Sequence, residues 1–270
     1  MFTASVVTFR TPKAEIEHCV ELFLASPRLE ALYVVDNACQ DSICAMLHGI
    51  PRVVYIPSPN NGYGAAHNRA IRRARGNHGD TPFHLVANTD IDFDPQVLTD
   101  IDDFMAGHPD IGCLQPRIVG PDGELQHTCR MLPTPADLLL RRFMPSWMCR
   151  ASRDRYLLKH LDPGRAWNIP YHQGSFMFLR REALEEVGGF DERFFMYPED
   201  IDLTRRIHRH WATVYWPGAT VTHNHRGESY SSGKMLRVHM TNMVKYFNKW
   251  GWLFDSERRA MNRSIAPYRE

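Results

Sequence analysis

What this sequence lacks narrows it first. It has no apolar run of about 20 residues, the length a helix needs to cross a bilayer. Cys19, Cys39, Cys44, Cys113, Cys129 and Cys149 form no CxxC and no metal-ligand spacing. An α/β chain of 270 residues does not need covalent staples, so reduced thiols are expected. Neither charge sign is in excess: 32 basic against 31 acidic residues leave a formal charge of +1. That argues against a nucleic-acid partner, which would call for a basic stripe. The opening MFTASVVTFR enters a strand without a basic segment and an apolar core before it. No signal peptide is therefore expected, and a cytoplasmic location follows, with contact at the cytoplasmic face of a membrane left open.

What is present is an alternation. Ala4–Phe9, Leu32–Val35, Val53–Ile56, Phe83–Ala87 and Ile111–Leu114 are short apolar, largely β-branched runs that read as buried strands. Between them lie helical stripes. The first is Ile16, Val20, Phe23 and Leu24, with Thr11 as cap and Pro12 as first helical residue; another is expected from Tyr63 to Ala74, and one opens at Pro95. This spacing predicts an α/β fold with a mostly parallel sheet covered by helices on both faces. Polar residues collect where strands end, at Thr8, Asp36, Asn60 and Asn88–Asp92, and the carboxyl ends of such strands form the ligand crevice. Residues 1–115 read as a nucleotide-binding half, although no GxGxxG is present.

Beyond Gly120-Pro121-Asp122-Gly123 the pattern loosens to about Tyr171, with Leu138–Leu140, Phe143, Trp147 and Met148 among Arg141, Arg142, Arg150, Arg153 and Arg155. This is either an irregular helical insertion on the sheet or a surface for an acceptor or an anionic membrane. Thr213–Trp216 and Val221–His223 read as strands separated by a Pro217-Gly218 turn. The tail from Lys234 to Phe254 mixes apolar and basic residues, and either packs back or touches a membrane.

The densest stretch is Gln173–Arg206: strand, helix, Gly188-Gly189, an aromatic cluster, then Tyr197-Pro198-Glu199-Asp200 opening a second helix. Acids in a first helical turn are favoured by the helix dipole, which explains their presence but not their direction. Glu199, Leu203, Ile207 and Trp211 follow at steps of four, which places Glu199 on the buried stripe and Asp200 on its flank. An acid above a core face suits general-base work. Asp202 reads as structural, and Asp191 and Glu192 as holding the turn. Asn88-Thr89-Asp90, or Asp90-Ile91-Asp92, puts oxygen ligands at a strand end where a hard divalent ion could sit, or serves as turn and cap before Pro95. The small residues of Asn60–Asn68 at a helix start suit an anion such as diphosphate, or a tight loop. His223 ends a strand and could offer an imidazole ligand.

Taken together, VVTF, VDNAC, NNGYGAAHNRA, NTDIDFDP, GSFMFLRREALEEVGGFDERFFMYPEDIDLTRRI and PGATVTHNHRGES resemble the family 2 glycosyltransferases of GT-A fold, especially their bacterial rhamnosyltransferase-like branch. The resemblance spans about Ser5 to Ser229. It implies a GT-A domain over 1–230, with an acceptor and catalytic half at 116–230, and a helical extension over 231–270. It implies a nucleotide-sugar donor bound by Thr8, Asp36, Asn60, Gly62, Asn68, Asn88, Gly174 and Ser175. It further implies Asp200 as catalytic base with Glu199 beside it, and Mg²⁺ or Mn²⁺ on Asp90 and His223. Asn88 occupies the first position of that family's DxD motif. The expected activity is inverting transfer from dTDP-L-rhamnose, or else a UDP-hexose, to a saccharide or lipid-linked acceptor in bacterial surface polysaccharide synthesis. A non-catalytic nucleotide-sugar-binding subunit of an assembly complex is the alternative. A sugar-nucleotide pyrophosphorylase is disfavoured because its glycine-rich signature is missing near the N-terminus.

Overall fold

Each strand of the first half is apolar on successive residues because it is covered on both faces. The computed structural model describes residues 1–138, 146–224 and 233–269, with backbone alone at 146–148 and 233–235. In chain order the elements are β1 (Phe2–Thr8), α1 (Lys13–Leu24), β2 (Leu29–Asp36), α2 (Asp41–Leu47), β3 (Val53–Pro57), α3 (Tyr63–Asn77), β4 (Phe83–Ala87), β5 (Ile91–Asp92), α4 (Pro95–Gly107) and β6 (Ile111–Val119). There follow β7 (Cys129–Arg130), α5 (Pro135–Leu138), α6 (Ser146–Tyr156), β8 (Trp167–Asn168), β9 (Tyr171–His172), β10 (Phe176–Arg180), α7 (Arg181–Val187) and α8 (Glu199–Ile207). The chain closes with β11 (Ala212–His223), α9 (Gly233–Trp250), α10 (Ser256–Arg263) and β12 (Ala266–Pro267).

The main sheet runs β12-β8-β11-β6-β10-β4-β1-β2-β3, with β5 pairing β11. In β2, Leu32 and Val34 join the core under α1, α2 and α4, whereas Tyr33 and Val35 meet the small face of α3 at Ala66, Ala70 and Ala74. That alanine stripe lets α3 approach the sheet closely. Strands β3, β2, β1 and β4 are parallel, and β6 is parallel to β11. Strand β10 enters between β4 and β6 antiparallel to both. Its start, not its end, therefore lies at the carboxyl edge of its neighbours: Phe176 pairs with Ala87, and Asn88 N donates to Ser175 O at 3.0 Å.

Several expectations are corrected here. The first helix starts at Lys13 with Pro12 outside it and no side-chain cap, so Thr11 does not cap. Helix α3 continues to Asn77. Pro198 precedes α8, not its first residue. Thr213–His223 is not two strands: β11 is continuous, and its register against β6 shifts between Trp216 and Thr220, so Pro217-Gly218 forms a bulge. Insertion residues 139–145, and residues 225–232 after His223, lie outside the described residues. The tail packs back: Met243, Tyr246 and Phe247 of α9 and Met261 of α10 join Ile201 of α8 in one apolar cluster, and β12 adds to β8. Among the described residues all the cysteines are free, and no helix is long and apolar enough to cross a membrane.

Candidate active site

The carboxyl edge of the sheet brings three strand ends together. Asn88 follows β4, Gly174 and Ser175 precede β10, and His223 ends β11. Tyr63, first residue of α3, clamps the first two, its hydroxyl lying 2.6 Å from Gly174 O and 3.2 Å from Asn88 Oδ1. Around them is a cavity of about 530 Å³ whose wall includes Asn88, Ser175, Glu199, His223, Arg130 and Tyr197.

Helix α8 supplies the acids. Every residue of it except Arg206 is buried. Asp200 is held by backbone donors, Gly174 N at 2.9 Å to Oδ2 and Ile201 N at 2.7 Å to Oδ1. Burial raises its carboxyl to about 6, opposed by those two N–H groups and by Arg130. Glu199 faces the cavity, and among the described residues its Oε2 meets no hydrogen-bond partner. Burial, and then the neighbouring Asp200 charge, push Glu199 well above the carboxylate range. Glu199 therefore holds its proton more firmly than Asp200, and the pair's negative charge rests mainly on Asp200. Tyr197, just before them, holds a left-handed φ of 91°, and its ring meets His239 of α9 at 4.9 Å. Backbone strain of this kind gathers where a side chain must be aimed.

The pairing of β5 with β11 sets His223 opposite Ile91 and brings His223 Nε2 to 3.3 Å from Asp90 Oδ1. Gln126 orients the imidazole. Its Nε2 donates to His223 O at 3.0 Å, which turns its Oε1 toward His223 Nδ1, also at 3.0 Å. With that proton on Nδ1, Nε2 and the Asp90 carboxylate present acceptors to one another, a pair that a proton or a divalent cation reconciles. One imidazole and one carboxylate fit a cation that takes its remaining ligands from phosphate oxygens. Among the described residues no group of three or more His, Cys, Asp or Glu is placed to hold a metal ion by itself.

Not every residue singled out in the sequence reaches the cavity. Asn88, Gly174, Ser175, Glu199 and His223 line it, with Asp200 behind Gly174 and Asp90 behind His223. Thr8 and Asp36 end adjacent parallel strands and are fully buried. Asp36 is occupied by its own turn, accepting from Ala38 N at 2.8 Å, Gln40 N at 2.6 Å and Tyr55 OH at 3.0 Å. Thr8 Oγ1 meets no partner among the described residues. Asn60 is exposed. Gly62 (φ 107°) lies against the Phe195 backbone, where a Cβ would overlap the carbonyl. Asn68 turns away: its Nδ2 donates to Phe190 O and Glu192 Oε1, each at 2.9 Å, and its Oδ1 accepts from Phe190 N. Gly189 is required there, because a Cβ would come within 2.6 Å of Asn68 Oδ1. Gly62 and Asn68 thus hold the acid-bearing segment onto α3.

Tyr63, Gln126 and Arg130 were not singled out in the sequence. Tyr63 had a local signal, a large residue opening a helix straight after a glycine. Arg130 had none. It donates to His127 O at 2.7 Å and Gln173 Oε1 at 3.1 Å, and only the pairing of β7 with β9 brings it beside the acids.

Comparison with known proteins agrees with this architecture. Residues 2–244 match the family described as "Glycosyltransferase like family 2". The N-acetylglucosaminyl-diphospho-decaprenol L-rhamnosyltransferase of Mycobacterium tuberculosis is 32% identical over 233 residues, 81% of this chain and 73% of that protein. Mannosyltransferase PcManGT from Pyrobaculum calidifontis, solved with GDP-Man and Mn²⁺, superposes with a TM-score of 0.61 at 19% identity, over 92% of this chain and 63% of that one. Residues 1–349 of Staphylococcus aureus TarS, solved with UDP-GlcNAc, superpose at 0.60 with 15% identity, covering 97% of this chain and 70% of that one. The chain is a GT-A-fold glycosyltransferase and belongs to family 2, on its rhamnosyltransferase-like branch.

Proposed function

We propose that the protein is an inverting hexosyltransferase that moves L-rhamnose from a deoxythymidine diphosphate donor to a lipid-linked saccharide. The observation that supports this chemistry best is the carboxyl pair beside the cavity, Glu199 on its wall and Asp200 behind Gly174. Asp200, pinned by Gly174 N, is the more acidic of the two and would take the proton; Glu199 holds its own proton more firmly and can donate a hydrogen bond. As the acceptor hydroxyl oxygen bonds to the anomeric carbon, its proton passes to Asp200. The bond from that carbon to the diphosphate oxygen breaks, and its electron pair leaves with the nucleoside diphosphate. A Mg²⁺ or Mn²⁺ held by Asp90 and His223 would supply positive charge to the departing diphosphate. Asn88, Ser175 and Tyr63 line the donor side, with Thr8 and Asp36 shaping the nucleoside end of the crevice from below. The choice of rhamnose and of a lipid-linked acceptor rests on the mycobacterial relative, whose name carries both. A UDP-hexose donor is the second reading, supported by the fold's likeness to a protein solved with UDP-GlcNAc.

The test is turnover with dTDP-L-rhamnose and with UDP-hexoses in wild type, Asp200→Asn and Glu199→Gln. Removing a general base costs about 10²–10⁴-fold, so Asp200→Asn should lose that much in kcat while still binding nucleotide in calorimetry. Glu199→Gln preserves a neutral hydrogen-bonding group and should stay within about tenfold of wild type. A large loss in Glu199→Gln with a small one in Asp200→Asn would exchange the roles.

A further inference from the structure

Between α9 and α10 the chain turns at Gly251, and the turn presents Trp252, Leu253 and Phe254 outward. They are 38%, 67% and 91% exposed. Consecutive large apolar side chains in water mark an interaction surface more often than chance exposure does. This turn is also well braced. Gly251 N donates to Phe247 O at 2.8 Å, Trp252 Nε1 to Asn248 Oδ1 at 2.9 Å, and Arg259 to Leu253 O at 3.1 Å. Asp255, the next residue, is buried in a bidentate pair with Arg205 at 2.7 and 2.8 Å. Arg205 belongs to α8, the helix that opens with Glu199 and Asp200. The apolar tip is thus keyed to the helix that carries the acids.

Charge surrounds it on one side. A groove of about 540 Å³ beside the tip is lined by Trp252, Leu253, Arg155, Arg259 and Arg263. Those three arginines are exposed, and among the described residues none has a carboxylate partner. The nearby acids are spent elsewhere, Glu257 on Arg205 and Arg209 and Asp154 on Lys159. The groove and the catalytic cavity are lined by consecutive residues. The groove wall includes Thr134, Pro135 and Ala136, and the next residues, Asp137 and Leu138, line the catalytic cavity.

We propose that Trp252–Phe254 and the arginines beside them form a docking surface for an anionic phospholipid bilayer. Aromatic and aliphatic side chains at a turn enter the acyl boundary, while arginines at the rim meet lipid phosphates. Docked this way, the protein holds residues 134–138 as a passage from the lipid surface to Glu199. The passage gives a lipid-linked acceptor its way in, and in that respect the inference rests on the acceptor proposed above. The docking itself does not depend on it.

Flotation of the full chain with vesicles tests the idea independently of transferase activity. Wild type should float with phosphatidylcholine vesicles containing about 30% phosphatidylglycerol, and much less with phosphatidylcholine alone. Leu253→Ser/Phe254→Ser should lose at least about tenfold in binding, because the acyl-boundary contact goes. Arg155→Glu/Arg263→Glu should abolish the preference for the anionic vesicles. Circular dichroism melts of both variants should match wild type, since these side chains are exposed. If both double variants float like wild type, or wild type does not float, the surface is not a membrane dock. A dimer in sedimentation velocity that Leu253→Ser/Phe254→Ser dissociates, with no vesicle binding, would overturn the proposal in favour of a second copy. Loss of turnover with intact flotation would count against the proposed acceptor and leave the docking standing.

Discussion

At the scale of single residues, the site depends on two neighbouring carboxyls given different surroundings. As the proposed base, Asp200 must be ionised to accept a proton, so kcat/KM should fall as pH drops through about 6. One unit below that value only about a tenth of the base is active, and the pH–rate profile should show a tenfold loss. Asp200→Asn should erase this acidic limb along with the rate. Part of the division was legible in the sequence: the step-of-four stripe placed Glu199 inward, Asp200 beside it, and Asp202 as structural. Asp202 is indeed fully buried, bound to Arg206 at 2.8 Å and accepting from Trp250 Nε1. Which carboxyl faced a cavity and which faced a backbone N–H was not legible, because that depends on Gly174, 26 positions earlier. The same limit applied to Asp36 and Asn68. Their types suited a ligand, but the direction of a polar side chain is decided by the backbone groups that fold near it.

At the scale of elements, α3 is fastened at both faces. Its N-terminal turn abuts Phe195 through Gly62, and Gly62→Ala would meet both the carbonyl and a disfavoured φ. The expected cost is about 1–3 kcal/mol, read as a lower urea midpoint with unchanged slope, together with lost turnover as the acid segment shifts. On the sheet side lies a buried polar chain: Thr3 Oγ1 to His84 Nδ1 at 2.8 Å, His84 Nε2 to Ser5 Oγ at 2.8 Å, and Ser5 Oγ to His67 Nδ1 at 2.7 Å. The His67 ring packs edge-on to Tyr63 at 4.4 Å, so this chain supports the clamp residue of the site. Burial lowers both histidines, helped by the His84 imidazole for His67 and by the Arg181 guanidinium for His84, which falls to about 3 from 6.5. Their folded values lie below the unfolded ones, so the unfolded chain binds more protons in acid. The stability they leave intact is full above pH 6.5 and declines as pH falls toward about 3. The slope is about 1.4 kcal/mol per pH unit for each histidine. Urea unfolding at several pH values between about 7.5 and 5.5 should show this decline, and His84→Gln, which cannot titrate, should lessen the slope by the share of one histidine. The parallel strands could be found by their β-branched runs. Strand β10 could be found too, but not its reversed direction, since a run of apolar residues reads the same either way.

At the scale of the whole molecule, the tail read from sequence as a helical extension packs against α8, the helix that carries the acids. Arg205 is 1% exposed and lies against Asp255, Glu257 and the ring of Trp250, all supplied by residues beyond 249. Removing one partner of a buried pair strands the other charge, so Arg205→Ala should cost about 3–5 kcal/mol. Calorimetric melting should show it as a drop of about 5–15 °C for a chain of this size. Arg205→Met with Asp255→Asn removes both charges and should recover most of the loss, a recovery that a purely steric role would not give. The sequence showed apolar and basic residues in this tail, but not their partners, because those partners lie about fifty positions earlier in the chain.

That separation acts on the clock of synthesis. Arg205 is made 50 residues before Asp255. At ribosomal rates of about 5–20 residues per second, the helix bearing the acids waits some 2.5–10 s before its counter-charge has even been polymerised. A nascent chain stopped short of Asp255 therefore carries the whole sugar-transfer motif with its principal helix unneutralised. The acid-bearing helix gains this counter-charge only once Asp255 has been added.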